Sequence, residues 1–220
     1  MDDAASPLRV ADADLKKKLV RPRRSNADRA AETRANIIES TISTLYEVGY
    51  SKTTFQEIST RSGVSLGAIQ HHFQNKDVLI LSTLEALLDD LQGAVDKFYD
   101  VSGDAAARCR SFIDIMWNDY YNRDVYIAVW EIIIGCRADH ELYNMVKLHR
   151  ANSTVVIYKA WQHLMEVDEN HDSLAAVDLA LKFMRSASYM NVGASSQGYI
   201  DRQLDMLAAL LGGFDYPSKA

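Results

Sequence analysis

The chain has 220 residues, 48% of them hydrophobic and 25% charged, with a formal net charge of −6. That size and apolar content suffice for one or two compact units with cores that need no disulfide staples. No stretch approaches the ~18 consecutive apolar residues of a membrane span. The amino terminus also lacks an apolar signal core, and Cys109 and Cys136 lie too far apart for a paired redox or zinc motif, so a soluble, cytoplasmic protein is expected.

The acidic total hides an asymmetry. Residues 1–79 hold 12 Lys and Arg against 10 Asp and Glu, a net of +2, whereas residues 80–220 hold 12 against 20, a net of −8. Lys16, Lys17, Lys18, Arg21, Arg23, Arg24, Arg29 and Arg34 form a basic arm ahead of the first helix. Such an arm can neutralise phosphates or enter a minor groove, and its small and charged residues predict disorder over 1–27.

Ile37, Ile38, Thr41, Ile42, Leu45 and Tyr46 recur at three- and four-residue intervals, which predicts a first helix ending at Gly49. Thr54 followed by Glu57 reads as a capping box, so a second helix should begin near residue 55. Gly63 suits the left-handed residue that ends it, and Ser65 can cap a third helix running to about Phe73. Ile58, Val64, Ile69 and Phe73 fall where a small core between crossed helices needs them. Together these describe a three-helix helix-turn-helix unit over 28–76 that offers its last helix to a DNA major groove.

Ile37-Ile38, Leu45-Tyr46-Glu47-Val48-Gly49-Tyr50, Thr53-Thr54-Phe55-Gln56-Glu57-Ile58, Ser62-Gly63-Val64-Ser65-Leu66-Gly67 and His72-Phe73-Gln74-Asn75-Lys76-Asp77-Val78-Leu79 resemble the TetR family of transcriptional regulators across roughly residues 30 to 80. The resemblance implies that Ser65, Leu66, Gly67, Ala68, Gln70, His71 and His72 lie on or beside the groove-facing surface, with Thr53, Thr54 and Lys76 at flanking phosphates. The family usually has Tyr where this chain has Gln70. Glutamine there can reach a phosphate or an adenine edge.

Beyond residue 76 the pattern stays helical. Val78 to Val95 predicts a connecting helix over about 76–99. Gly103-Asp104 opens a segment through Tyr120, Asp124 another through Ile134, and a long helix should span about 140–167. The polar run 168–172 precedes a helix over 173–192, and a last one covers 199–211. No sustained period-two alternation or internal repeat is visible. The expected fold is all-α, with about nine helices and a helical-bundle ligand-binding and dimerisation domain over 77–220.

Large soft residues concentrate in that bundle: Trp117, Tyr120, Tyr121, Tyr126, Trp130, Trp161, Met165, Phe183, Met184, Tyr189 and Met190, with Glu131 or Arg137 as polar complements. They can simply fill a core, or line a pocket. Beside the family resemblance, which implies an enclosed site in this domain, Trp117, Tyr121, Trp130 and Met165 are the candidate ligand-binding residues, and the effector expected is small and apolar or aromatic. Stripes of Leu174, Val177, Leu181, Met184, Ala187 and Ser188, and of Ile200, Leu204, Leu207, Leu210 and Leu211, are expected at a homodimer interface.

Catalysis is the competing class. His71, His72, His140, His149, His163 and His171 form no His-Glu-x-x-His group, and no phosphate loop or nucleophile elbow is present. His163 and His171 beside Asp168 and Glu169 read as a solvated loop. No catalytic residue, metal or cofactor is expected. The function expected is a ligand-responsive regulator, a repressor released from a palindromic operator. The alternative is a helix-turn-helix protein whose body only binds other proteins.

Overall fold

The computed structural model describes residues 25–167, 171–190 and 197–214. Nine α-helices are seen among them: α1 Asn26–Val48, α2 Phe55–Ser62, α3 Leu66–His72, α4 Lys76–Asp96, α5 Ala105–Met116, α6 Val125–Gly135, α7 His140–Met165, α8 His171–Met190 and α9 Gln197–Gly212. No strand occurs among the described residues, so the all-α expectation holds. No described helix is long and apolar enough to cross a membrane.

The chain divides between Ala35 and Asn36. In the described part of the first unit, Ser25 and Asp28 cap α1 reciprocally: the Ser25 N–H donates to Asp28 Oδ2 at 2.9 Å and the Asp28 N–H to Ser25 Oγ at 3.0 Å. Those bonds hold the Asp28 carboxyl below its usual pKa. Residues 1–24 of the expected basic arm, Lys16 to Arg24 included, lie outside the described residues. Arg29 and Arg34 are exposed positions on α1 rather than part of an arm preceding it.

From Asn36 onward the molecule is one unit with two cores. Ile37, Ile38, Ile58, Ile69, Phe73 and Leu79 form the smaller, with Val64 packed on it as expected. The larger begins with Leu45 and Ile80 and runs through the bundle to Leu211. The boundary expected near residue 76 is therefore a change of core, crossed by α1 and α4, within one compact unit.

Three details of the bundle differ from its periodicity. After α5 the chain makes a turn of π-helix, Trp117–Tyr121, in which the Asn122 N–H donates to Trp117 O at 2.7 Å. The wider turn narrows the angle between neighbouring side chains, and consecutive Tyr120 and Tyr121 are both buried. Helix α9 packs chiefly against α5 rather than pairing with α8. Finally, α8 starts at His171, within the polar run expected to be a loop, of which 168–170 lie outside the described residues.

Candidate nucleic-acid interface and a small cavity

The helix-turn-helix is built from its caps. Thr54 accepts from the Glu57 N–H at 3.2 Å, but the return half of the expected capping box is not made, because the Glu57 carboxylate takes Arg61 Nε at 2.6 Å. Gly63 ends α2 at φ 69°, and its N–H donates to Ser59 O. Ser65 then accepts from the Ala68 N–H at 3.3 Å, and Asn75 caps α4 through the Val78 N–H at 2.9 Å. With Ile69 and Phe73 turned into the small core, the opposite side of α3 is presented outward.

Ser65, Leu66, Gly67, Gln70 and His71 are exposed on that side, while Ala68 and His72 are half-buried. Gly67 has open space where a Cβ would sit, which leaves room for close approach of a duplex. Thr54 is exposed at the N-terminus of α2. Two expected phosphate contacts are engaged within the chain. Thr53 is fully buried, its Oγ1 donating to Gly49 O at 2.9 Å. Lys76 is turned inward: Nζ donates to Tyr50 O at 2.9 Å and lies 4.0 Å from the Tyr50 ring centroid, and burial lowers its pKa. Arg61 is paired with Glu47 and Glu57. Among the described residues of 36–79, Lys52 remains the exposed cation available to phosphate.

Lys76 instead helps hold the loop after α1 against the bundle. The Tyr50 N–H donates to Glu131 Oε2 at 2.9 Å, and a Cβ on Gly49, where φ is 84°, would stand 3.1 Å from the same oxygen. A Cβ on Gly135 would fall 2.1 Å from the Tyr50 ring. The Tyr50 ring thus occupies the space that a side chain at 135 would need, one turn beyond Glu131 on α6.

Between α4, the π turn, α6, α7 and α8 lies a cavity of about 20 Å³, lined by Leu88, Leu91, Tyr120, Tyr121, Tyr126, Val129, Arg150, Ser153, Ile157 and Arg185. That is room for about one water. Tyr120, Tyr121 and Tyr126 meet edge to face with centroids 4.9–5.1 Å apart. Burial raises the pKa of all three, so they stand as neutral O–H groups.

Of the four ligand-binding candidates the structure brings Tyr121 alone to this cavity. Trp117 is buried with its indole N–H unpartnered, Trp130 is half-buried and donates Nε1 to Arg185 O at 3.3 Å, and Met165 packs its sulfur 3.8 Å from Cys109 Sγ. Tyr120 and Tyr126 belonged to the wider aromatic set, but Arg150 and Arg185 escaped the sequence reading. The signal available was a cation at Arg185, four residues beyond Leu181 and eight beyond Val177 on the apolar stripe of α8. Among the described residues no group of three or more His, Cys, Asp or Glu could hold a metal.

The stripes expected at a dimer interface are mostly interior: Val177, Leu181, Met184, Ala187, Ile200, Leu204, Leu207 and Leu211 are buried within this chain. Leu210 of the predicted stripe is exposed, and the other exposed apolar side chains lie around both helices, at Leu179, Tyr189 and Met190 on α8 and Tyr199 and Met206 on α9. Burial of the predicted stripes follows from α9 lying on α5, which turns that side of α9 inward.

Residues 37–83 match the family model described as bacterial regulatory proteins, tetR family. The chain is similar to the HTH-type transcriptional regulator BetI of Burkholderia thailandensis, 32% identical over 87 residues, which cover 39% of this chain and 45% of that protein. It is also similar to BetI of Stenotrophomonas maltophilia, 27% identical over 120 residues, covering 54% and 60%. The chain thus spans about half the length of these relatives. In fold it is similar to a transcriptional regulator from Rhodococcus sp. Rha1, with a TM-score of 0.67 at 17% identity over 81% of this chain and 95% of that one. It is also similar to the multidrug binding protein EbrR complexed with imidazole, with a TM-score of 0.59 at 15% identity over 85% and 96%. Residues 37–83, set in a helix-turn-helix and carried on a helical bundle of that fold, thus carry the signature of the tetR family of bacterial regulatory proteins.

Proposed function

We propose that the protein is a dimeric DNA-binding transcriptional regulator, a repressor that a small-molecule effector releases from a two-fold operator. The observation that carries this reading is the double duty of α6. Its Tyr126 and Val129 line the cavity, and its Glu131 and Gly135 grip Tyr50 at the edge of the helix-turn-helix. Helix α4 does the same, with Leu88 and Leu91 at the cavity and Lys76 on Tyr50. A cavity with room for one water cannot admit a metabolite unless its walls part, so binding favours a state in which α4 and α6 have moved. Movement of either reaches the element that presents α3.

Dimerisation gives that movement its effect, since two α3 helices must lie one DNA turn apart, roughly 34–36 Å, to read a palindrome. The exposed apolar side chains of Leu179, Met190, Tyr199, Met206 and Leu210 support a partner on α8 and α9. Because the described helix-turn-helix keeps few exposed cations, the phosphate contacts fall to the basic cluster of residues 16–24. Deleting residues 1–24 is expected to lower affinity and flatten the salt dependence without changing operator preference.

The test is fluorescence anisotropy on duplexes tiling the region upstream of the protein's own gene, with sedimentation to establish the oligomer. Specific binding by a dimer supports the reading, and uniform weak binding by a monomer ends it. Reciprocity tests the effector: a compound that releases DNA must bind the DNA-free protein more tightly than the complex. The small cavity also leaves a rival, in which the bundle is a protein-interaction module. A regulator that binds its operator and responds to protein partners but to no small molecule would establish that rival.

A further inference from the structure

The cavity wall carries positive charge that its neighbours do not neutralise. Arg150 on α7 and Arg185 on α8 both line it. Arg185 donates Nε to the Tyr121 hydroxyl at 3.2 Å and Nη2 to Thr154 Oγ1 at 3.4 Å, both neutral acceptors and the second a long contact. Its backbone carbonyl is held by Trp130 Nε1 at 3.3 Å and by the Ser188 hydroxyl at 2.7 Å. Among the described residues, no carboxylate lies within ion-pair distance of either guanidinium. Asp178 on α8 pairs with Lys182, and on α4, which also lines the cavity, Asp90 pairs with Arg123 and Glu85 faces His149.

A half-buried cation without a carboxylate partner keeps binding capacity, and a guanidinium presents a planar fork of donors that matches an oxyanion. Leu88, Leu91, Val129 and Ile157 supply an apolar part of the same lining. We infer that the effector is a small organic anion, its carboxylate or similar oxyanion head held by Arg185 and Arg150 and its apolar body lying against the aliphatic wall. The neutral hydroxyls of Tyr121 and Tyr126 add donors to the same head. A cationic effector is disfavoured by both arginines, and a neutral one leaves the guanidiniums as they are. This rests on the effector-responsive reading above and adds an anionic head to the small apolar or aromatic effector expected from the sequence.

The experiment uses the full-length protein and two charge series of constant body: hexanoate, hexanamide and hexylammonium, and phenylacetate, phenylacetamide and 2-phenylethylammonium, with inorganic phosphate as an anion lacking a body. Tryptophan fluorescence reads binding, since Trp130 is bonded to Arg185. At least one carboxylate is expected to bind tenfold or more tighter than its amide and its amine, and more tightly than phosphate. Arg185→Gln and Arg150→Gln are each expected to abolish that preference while leaving the amide's affinity within twofold. Binding of an amide or amine as tight as that of its acid, or no binding by either carboxylate, overturns the inference, and phosphate binding as tight as the acids removes the apolar body from it. If Arg185→Gln does not fold, Arg150→Gln and the wild-type charge series decide. DNA binding measured on the same preparation separates the two claims: a protein that binds operator but shows no anion preference refutes the anion alone, and one that binds anion but no operator refutes the regulator.

Discussion

Polar groups are treated in opposite ways in the two regions of the molecule. Around the helix-turn-helix they are satisfied locally, by Thr54, Ser65 and Asn75 at helix starts, Gly63 at a helix end and the Thr53 hydroxyl on Gly49 O, so that its six-residue core is wholly apolar. Inside the bundle, three phenols and two guanidiniums surround a space with room for about one water, and no carboxylate among the described residues lies within ion-pair distance of either arginine. The first arrangement makes a rigid platform for the exposed side of α3. The second leaves binding capacity unspent, as the proposed two-state response needs.

The largest test of this contrast is Phe73→Ala, in the small core. Removing that fully buried ring should destabilise the helix-turn-helix by about 3–5 kcal/mol. Denaturant titration of the full chain should then show a separate early transition. A single transition shifted as a whole would mean the two cores melt together and the platform is not independent.

Gly135→Ala probes the connection between the regions. The added Cβ would meet the Tyr50 ring at 2.1–2.4 Å, and overpacking of that kind costs about 1–3 kcal/mol. Operator affinity should fall, because Tyr50 must leave its seat on α6, while carboxylate affinity stays near wild type. Unchanged operator binding would show that the Tyr50 contact does not transmit.

Gln70→Ala sharpens the platform side. A lost base contact should reduce discrimination between operator variants by about 1–3 kcal/mol, whereas Lys76→Ala should leave the salt slope unchanged because its ammonium is engaged with Tyr50. A salt slope that flattens in Lys76→Ala would return that residue to the phosphates. The smallest effect is expected for Thr54→Ala, where loss of one cap costs about 1 kcal/mol, read as a lowered Tm.

Local chemistry was legible in advance and long-range choice was not. The helix starts at 55, 66 and 76 and the left-handed Gly63 are decided by residues within a few positions of one another, and the apolar spacing marks Ile58, Ile69 and Phe73 for a small core, so the sequence by itself determined the helix-turn-helix and the all-α class. It also marked the aromatic wealth of the bundle. Only tertiary structure decided which aromatics share a cavity, because Tyr121, Arg150 and Arg185 come from three elements whose relative rotation no single periodicity encodes. The inward turn of Lys76 and the burial of Thr53 were decided in the same way. A surface-type side chain faces solvent until a distant partner competes for it, here the carbonyls of Tyr50 and Gly49, held in place by Glu131 and the vacant face of Gly135. The apolar stripes of α8 and α9 illustrate the same limit: periodicity specifies that a helix has an apolar side, and the packing of α9 on α5 decides whether that side meets the chain's own core or another subunit.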